Sequence, residues 1–141
     1  MAERPGAPFT EYIGALMNAE TEGHVRLTLA TGPQHAGSDG LVHPGVLASV
    51  MDSVIGIALG RLRGEEHRKH HGPHATIALS TSFYAPASPG EELVFEGRVV
   101  RVGEGVAFGE VETRSANGET LARAHLTFAI PRHSHPEAPA A

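Results

Sequence analysis

One residue carries a full charge in the run HPGVLASVMDSVIGIALG, residues 43 to 60, and it is Asp52, near the middle. A carboxylate buried without a partner is costly, so this one must be protonated, hydrogen-bonded or sited where its segment meets a cleft. In a cleft it can attack a carbonyl carbon or take a proton from water. The residues around it favour that use. Pro44 suits the first position of a helix and no proline follows until Pro73, which predicts a helix over 44–62. Along it Gly45, Ala48, Ser49, Asp52, Gly56 and Gly60 recur at three- or four-residue steps, so the small residues share a face with the carboxylate. Another group can come close there. The start of the helix offers backbone amides and a partial positive charge, which suit a carbonyl oxygen turning into an oxyanion. The plainer reading, an aspartate that caps or pairs with another polar group, accounts for Asp52 but not for the bare face beside it.

Other polar residues carry weaker signals. His43 stands just before the helix start and lines the same region, although a histidine there serves equally well as a structural loop residue. The segment EEHRKHHGPH gathers Glu65, Glu66, His67, His70, His71 and His74. On a helix His67 and His71 would have metal-ligand spacing, but a solvated connection is the stronger reading. Arg61, Arg63, Arg68 and Lys69 are placed to meet phosphates, yet basic surface residues are mostly just solvated. The chain has no cysteine, which excludes a disulfide framework, a thiolate metal site and a cysteine nucleophile.

The helix that bears Asp52 is apolar almost all round and so belongs in a core. Upstream, FTEYIGALMNAE has Phe9, Tyr12, Ile13, Leu16 and Met17 at helical spacing and predicts a short amphipathic helix with Thr10 as N-cap. HVRLTLAT alternates as a strand, and GPQHAGSDG is a loop. Four further strands follow in TIALSTSFY, ELVFEGRVVRV, GVAFGEVETR and TLARAHLTFAI, the last two joined at an Asn-Gly hairpin signal. In the first of these, Ile77, Leu79, Thr81 and Phe83 share one face. The order predicts an α+β fold in which an antiparallel β-sheet curls round one long central helix. Such a sheet leaves edges to cover, so a homodimer at least is expected.

A chain of 141 residues fits one domain, taken here as residues 1–131, with a Pro-rich tail at 132–141 expected to be disordered. Hydrophobic residues make up 40% and charged residues 19%, ordinary for a globular protein, and a net charge of -5 gives no pull toward nucleic acid. The first residues lack the basic start and apolar stretch of a signal peptide, and no run is read as reaching the ~18 apolar residues of a membrane span. A soluble, cytoplasmic protein is expected.

The motif GLVHPGVLASVMDSVIGIAL resembles the central-helix motif of the hotdog-fold acyl-CoA thioesterases of the phenylacetate-pathway and 4-hydroxybenzoyl-CoA type, where His-Gly-Gly precedes a helix carrying Asp or Glu. The strands from residue 80 to 130 are similar to the rest of such a domain, so the resemblance covers about residues 24 to 130. It implies a hotdog fold, an acyl-CoA substrate, no cofactor or metal, and assembly as a homodimer or homotetramer. It makes Asp52, nine positions after His43, the nucleophile or general base. The family's oxyanion donor is the amide of the first motif glycine, here Pro44, which has no N–H; Gly45 is the expected substitute. Thr76 matches a small polar residue that the partner subunit contributes in some members, and with Ser49 it would orient water or the acyl group. Relatives carry Asn or Gln where this chain has Gly37, with Gln34, His35, Ser38 and Asp39 near enough to compensate. A hotdog module that binds acyl thioesters without hydrolysis, or serves assembly, is the alternative; hotdog dehydratases place a catalytic His in a different helix pattern.

Overall fold

A computed structural model of the protein describes residues 2–131. The expected tail at 132–141 lies outside the described residues. The central helix, α2, spans Pro44–Arg63, one residue beyond the predicted end. His43 is its N-cap, and Gly64, at a φ of 82° that favours glycine, ends it. Before it come α1 (Pro8–Ile13), β1 (Leu16–Thr21) and β2 (His24–Ala30). After it come α3 (Glu65–His71), β3 (Ala75–Phe83), β4 (Glu92–Val102), β5 (Val106–Ser115) and β6 (Thr120–Ala129). The six strands form one antiparallel sheet in the order β1-β2-β4-β5-β6-β3, packed around α2.

The core lies between sheet and helix. Leu47, Val50, Met51, Val54, Ile55, Ala58 and Leu59 of α2 are buried against Val25, Leu27 and Leu29 of β2, Leu93 and Phe95 of β4, and Leu126 and Phe128 of β6. Two glycines set how close they come. A side chain at Gly97 of β4 would begin 2.7 Å from the Glu110 carbonyl oxygen and 2.9 Å from Val54, and one at Gly109 of β5 would begin 2.6 Å from Ile55. By length and composition α2 does qualify as a membrane span, against the expectation that no run would. Burial of the side facing the sheet accounts for Leu47, Val50, Met51, Val54, Ile55, Ala58 and Leu59, while the side bearing Asp52 is only partly covered.

Several expectations are corrected. The first helix ends at Ile13, because Gly14 adopts a φ of 103° and stops it. Leu16 and Met17 therefore belong to β1, where the first is 43% exposed and the second 5%. Their helical spacing from Tyr12 and Ile13 straddles a helix end and a strand start, so the sheet gains a strand. Ala7, not Thr10, is the N-cap of α1, and Thr10 is buried inside the helix. The histidine-rich connection is the helix α3, exposed and supported by Lys69–Glu65 and His70–Glu66 pairs at i,i+4. Neither face of β3 is covered, with Ile77 62% exposed and Phe83 44%, and β3, an edge strand, also leaves one backbone edge unpaired.

Candidate active site

Asp52 is half-buried in the middle of α2, and its Oδ1 accepts a 2.6 Å hydrogen bond from Thr76 Oγ1. Thr76 is delivered by the first turn of β3, beside a bulge between Thr76 and Ala78. Both residues belong to the same chain, so no second copy is needed for this pair. His74, two residues before Thr76, fixes its approach. His74 Nε2 bonds the carbonyl of Gly56 on α2 at 2.9 Å, and its Nδ1 lies 3.0 Å from Arg63 Nη1. Arginine has only donors, so Nδ1 accepts and the ring proton sits on Nε2. Burial pushes the His74 pKa down, the Gly56 bond opposes this, and the charges of Arg63 and Arg68 reinforce it. The imidazole is therefore held neutral as a tie between α2 and β3.

Asp52 and Thr76 line a groove of about 510 Å³. Ser53, Gly56 and Gly60 form its α2 wall, His74 and Phe128 its β-sheet side, and Pro5 to Thr10 close it from the N-terminal segment. A side chain at Gly56 would begin 3.9 Å from Phe128 and one at Gly60 3.6 Å from His74, ordinary contact distances, so the glycines let those groups lie directly on this face of α2. Hydroxyls link this wall to the helix start: Thr10 Oγ1 and Ser53 Oγ are 2.7 Å apart, Ser53 donates to the Ser49 carbonyl, and Ser49 donates to the Gly45 carbonyl at 2.7 Å. Ser49 thus spends its proton on its own helix and retains only acceptor capacity.

The start of α2 departs from the expectation. The Gly45 amide was to be unbound in the first turn, but it donates to His43 Nδ1 at 2.8 Å. The Val46 amide goes to the His43 carbonyl, and Pro44 has no N–H. Nor do Gly45 and Asp52 converge within one chain. Seven helical residues separate them by about 10 Å along the axis, and first-turn amides point away from the helix body. A carbonyl held there lies far outside the ~3–3.5 Å reach of an attacking Asp52 oxygen.

The polar residues near Gly37 do not compensate inside the groove. Buried His35 accepts from the Gly32 amide and bonds the Ile13 carbonyl, a tie between α1 and the loop. Asp39 caps the Leu41 amide at 3.0 Å, and the exposed Gln34 folds over Gly32, its Oε1 2.6 Å from where a side chain there would begin. None of these, nor Ser38, is among the residues lining the Asp52 groove. The structure therefore gathers Asp52 and Thr76, and leaves His43, Gly45 and Ser49 along the helix toward its start. Sequence reasoning missed His74 and the N-terminal segment as groove residues. The signal for His74 was its place two residues before Thr76. His67 and His71 stack with ring centroids 4.5 Å apart, but among the described residues no three metal-ligating side chains gather.

Residues 39–122, more than half of the chain, match the thioesterase superfamily. Acyl-coenzyme A thioesterase 13 of Mus musculus is 26% identical over 95 residues, covering 67% of this chain and 64% of that protein. The Homo sapiens protein of the same name is 25% identical over the same shares. The match thus spans less than two thirds of these relatives' length. Among solved structures, S. sahachiroi AziG superposes with a TM-score of 0.81 at 24% identity, over 89% of this chain and 98% of that one. The E. coli PaaI protein of the phenylacetic acid degradation operon gives 0.79 at 16%, over 92% and 88%. A hypothetical thioesterase of Streptococcus pneumoniae solved with coenzyme A gives 0.75 at 17%, over 86% and 89%. These likenesses establish the hotdog fold, a six-stranded antiparallel sheet around a long helix.

Proposed function

We propose that this chain, which belongs to the thioesterase superfamily, hydrolyses an acyl-CoA thioester with Asp52 as nucleophile or general base. The observation that carries the reading is the Asp52 carboxylate, held on one oxygen by Thr76 and facing a groove along a bare helix face. Thr76 fixes Oδ1, which leaves Oδ2 for chemistry. As a nucleophile Oδ2 adds to the thioester carbonyl, the C–S bond breaks, CoA leaves as thiolate, and water hydrolyses the resulting anhydride. As a general base it takes a proton from water, the hydroxide adds to the same carbon, and the C–S bond breaks to release CoA as thiolate. The coenzyme A bound by the S. pneumoniae relative supports a CoA thioester as substrate.

An oxyanion donor for this carbonyl has to come from outside the chain's own α2 start, by the separation given above. A second copy supplies it in this proposal, its Gly45 amide exchanging His43 for the substrate oxygen. The uncharged edge strand β3, ATIALSTSF, supports such pairing, since nine residues with exposed Ile77 and Phe83 carry neither a lysine nor a proline to guard them. A homodimer is the smallest assembly that meets the need, and light scattering at micromolar concentration tests it: a monomer with full activity would refute the shared site.

One observation favours a second reading, a module that binds acyl thioesters without cleaving them. Pro44 removes one amide from the helix start and His43 occupies the next. Incubation with a panel of acyl-CoAs, following free thiol, separates the two. Release of thiol by the wild type and not by Asp52→Asn supports hydrolysis; tight binding without release by either supports the module.

A further inference from the structure

The Asp52 groove is electrically lopsided. Asp52 and Thr76 stand at one end, and two arginines, Arg61 and Arg68, stand at the other, beside Gly60. Arg61 is neutralised, its Nε donating to Glu20 at 2.7 Å. Arg68 is not. Its Nε makes one long bond, 3.3 Å, to the uncharged Gly64 carbonyl, and among the described residues no carboxylate lies within ion-pair distance of it. The carboxylates of its own helix are engaged elsewhere, Glu65 with Lys69 and Glu66 with His70.

Arg26 and Arg101 also have no carboxylate within ion-pair distance among the described residues, but neither lines the Asp52 groove, and most other arginines are paired. On the outer face of the sheet the half-buried Arg114 has both Glu96 and Glu112 as partners, Arg123 has Glu112, and Arg98 has Glu110. Arg63 also lacks a carboxylate, but its donors are consumed by His67, His74 and the Gly72 carbonyl. Arg68, half-buried over the bare face of α2, keeps donors to spare, with Nη1 only 4.0 Å from where a Gly60 side chain would begin. Its neighbours register the uncompensated charge: after burial, Arg68 is a further cause lowering the pKa of Arg63, and with Arg63 it lowers that of His74.

We propose that Arg68 forms an anion subsite at the far end of the Asp52 groove, so that the preferred thioester carries a negatively charged group remote from its reacting carbonyl. The inference rests on the proposed thioesterase reading. Eight residues of helix separate Asp52 from Gly60, about 12 Å along the axis. An anion at that distance fits a carboxylate at the far end of the acyl group. The phosphates of CoA are the other source of the same chemistry, but the extended pantetheine arm is longer than this separation. A planar guanidinium whose two terminal nitrogens make no hydrogen bond among the described residues suits either, and can take a carboxylate with paired bonds.

The test compares two acyl-CoAs of equal chain length, one ending in methyl and one in carboxylate, with wild type, Arg68→Gln, Arg68→Lys and the surface control Lys69→Gln. The wild type is expected to favour the carboxylate substrate in kcat/KM. Arg68→Gln should lose about tenfold or more of that preference, the scale of one charge-assisted hydrogen bond, while Arg68→Lys keeps part and Lys69→Gln keeps all. An equal loss on both substrates, with weaker inhibition by free CoA, supports the subsite and assigns its anion to the CoA phosphates. Unchanged preference and unchanged CoA inhibition in a folded Arg68→Gln overturn the proposal. Calorimetric binding of a non-hydrolysable, carboxylate-ended thioether analogue separates the two readings. Binding that depends on Arg68 in a protein that releases no thiol sinks the hydrolase and keeps the subsite, whereas thiol release indifferent to Arg68 does the reverse.

Discussion

The start and the middle of α2 lie on one helix and have opposite economies of hydrogen bonds. At the start every donor is closed off by the chain itself: Pro44 has none, Gly45 gives its amide to His43 Nδ1, and Val46 gives its own to the His43 carbonyl. In the middle Asp52 has a single partner, Thr76, and the rest of its acceptor capacity faces a groove. A helix N-terminus attracts anions only through amides it has not spent. The unspent acceptor capacity lies with the carboxylate, and in the proposed mechanism the positive end of the helix must be unlocked before it can assist.

The sharpest way to break that contrast is to remove the charge at its reactive end. Asp52→Asn keeps size and hydrogen bonding, so the variant is expected to fold and assemble while kcat falls by at least the ~10²-fold of a lost general base. A lowered Tm with activity lost only in proportion to folded protein would instead make Asp52 structural. At the other end, Pro44→Gly restores an amide to the helix start. If a donor is lacking there, kcat is expected to rise, by up to the ~10²-fold assigned to one oxyanion donor. A large fall would show that Pro44 fixes the helix start.

Smaller effects sharpen the comparison. Thr76→Ala removes the one bond that orients Asp52, and kcat is expected to drop by about tenfold with KM little changed, whereas Thr76→Ser should recover most of it. The smallest expected effect is on stability against pH. His74 has a folded pKa below its unfolded value of about 6.5, so the unfolded chain binds the extra proton as pH falls. Tm should be flat above about pH 6.5 and decline below it, and His74→Gln should remove that part of the decline. Glu96 and Glu112, lowered by their bonds to Arg114 and Arg123, add a separate loss in the more acidic carboxylate range.

Much of the scaffold is legible in the sequence because it obeys simple periods. The β4 segment reads from residue 92 to 102 and is found as Glu92–Val102, and α2, β5 and β6 are displaced by a residue at most at either end. The errors fall where period and neighbourhood disagree. Leu16 and Met17 keep helical spacing across the Gly14 stop, and the alternation of β3 suggests a covered face on a strand that lies at the sheet edge. Asp52 and Thr76, which the structure brings into hydrogen-bond contact, were both named from residue type and resemblance. That Gly45 is capped, that His74 ties β3 to α2, and that Arg68 lacks a carboxylate are choices of partner between residues distant in sequence, and no spacing records them.

The glycines at 97 and 109 have a consequence for the chemistry as well as the packing. They set the seating depth of α2 in its sheet, and Asp52 rides on α2 next to Val54 and Ile55, the very residues that an added methyl group would push. Of the two, Gly97 is the less forgiving, since a backbone carbonyl stands in the way. An alanine there would press on Val54, two residues from Asp52, and in the proposed mechanism that bears on how the carboxylate lines up with its threonine, from the opposite side of the core and without touching a single residue of the groove.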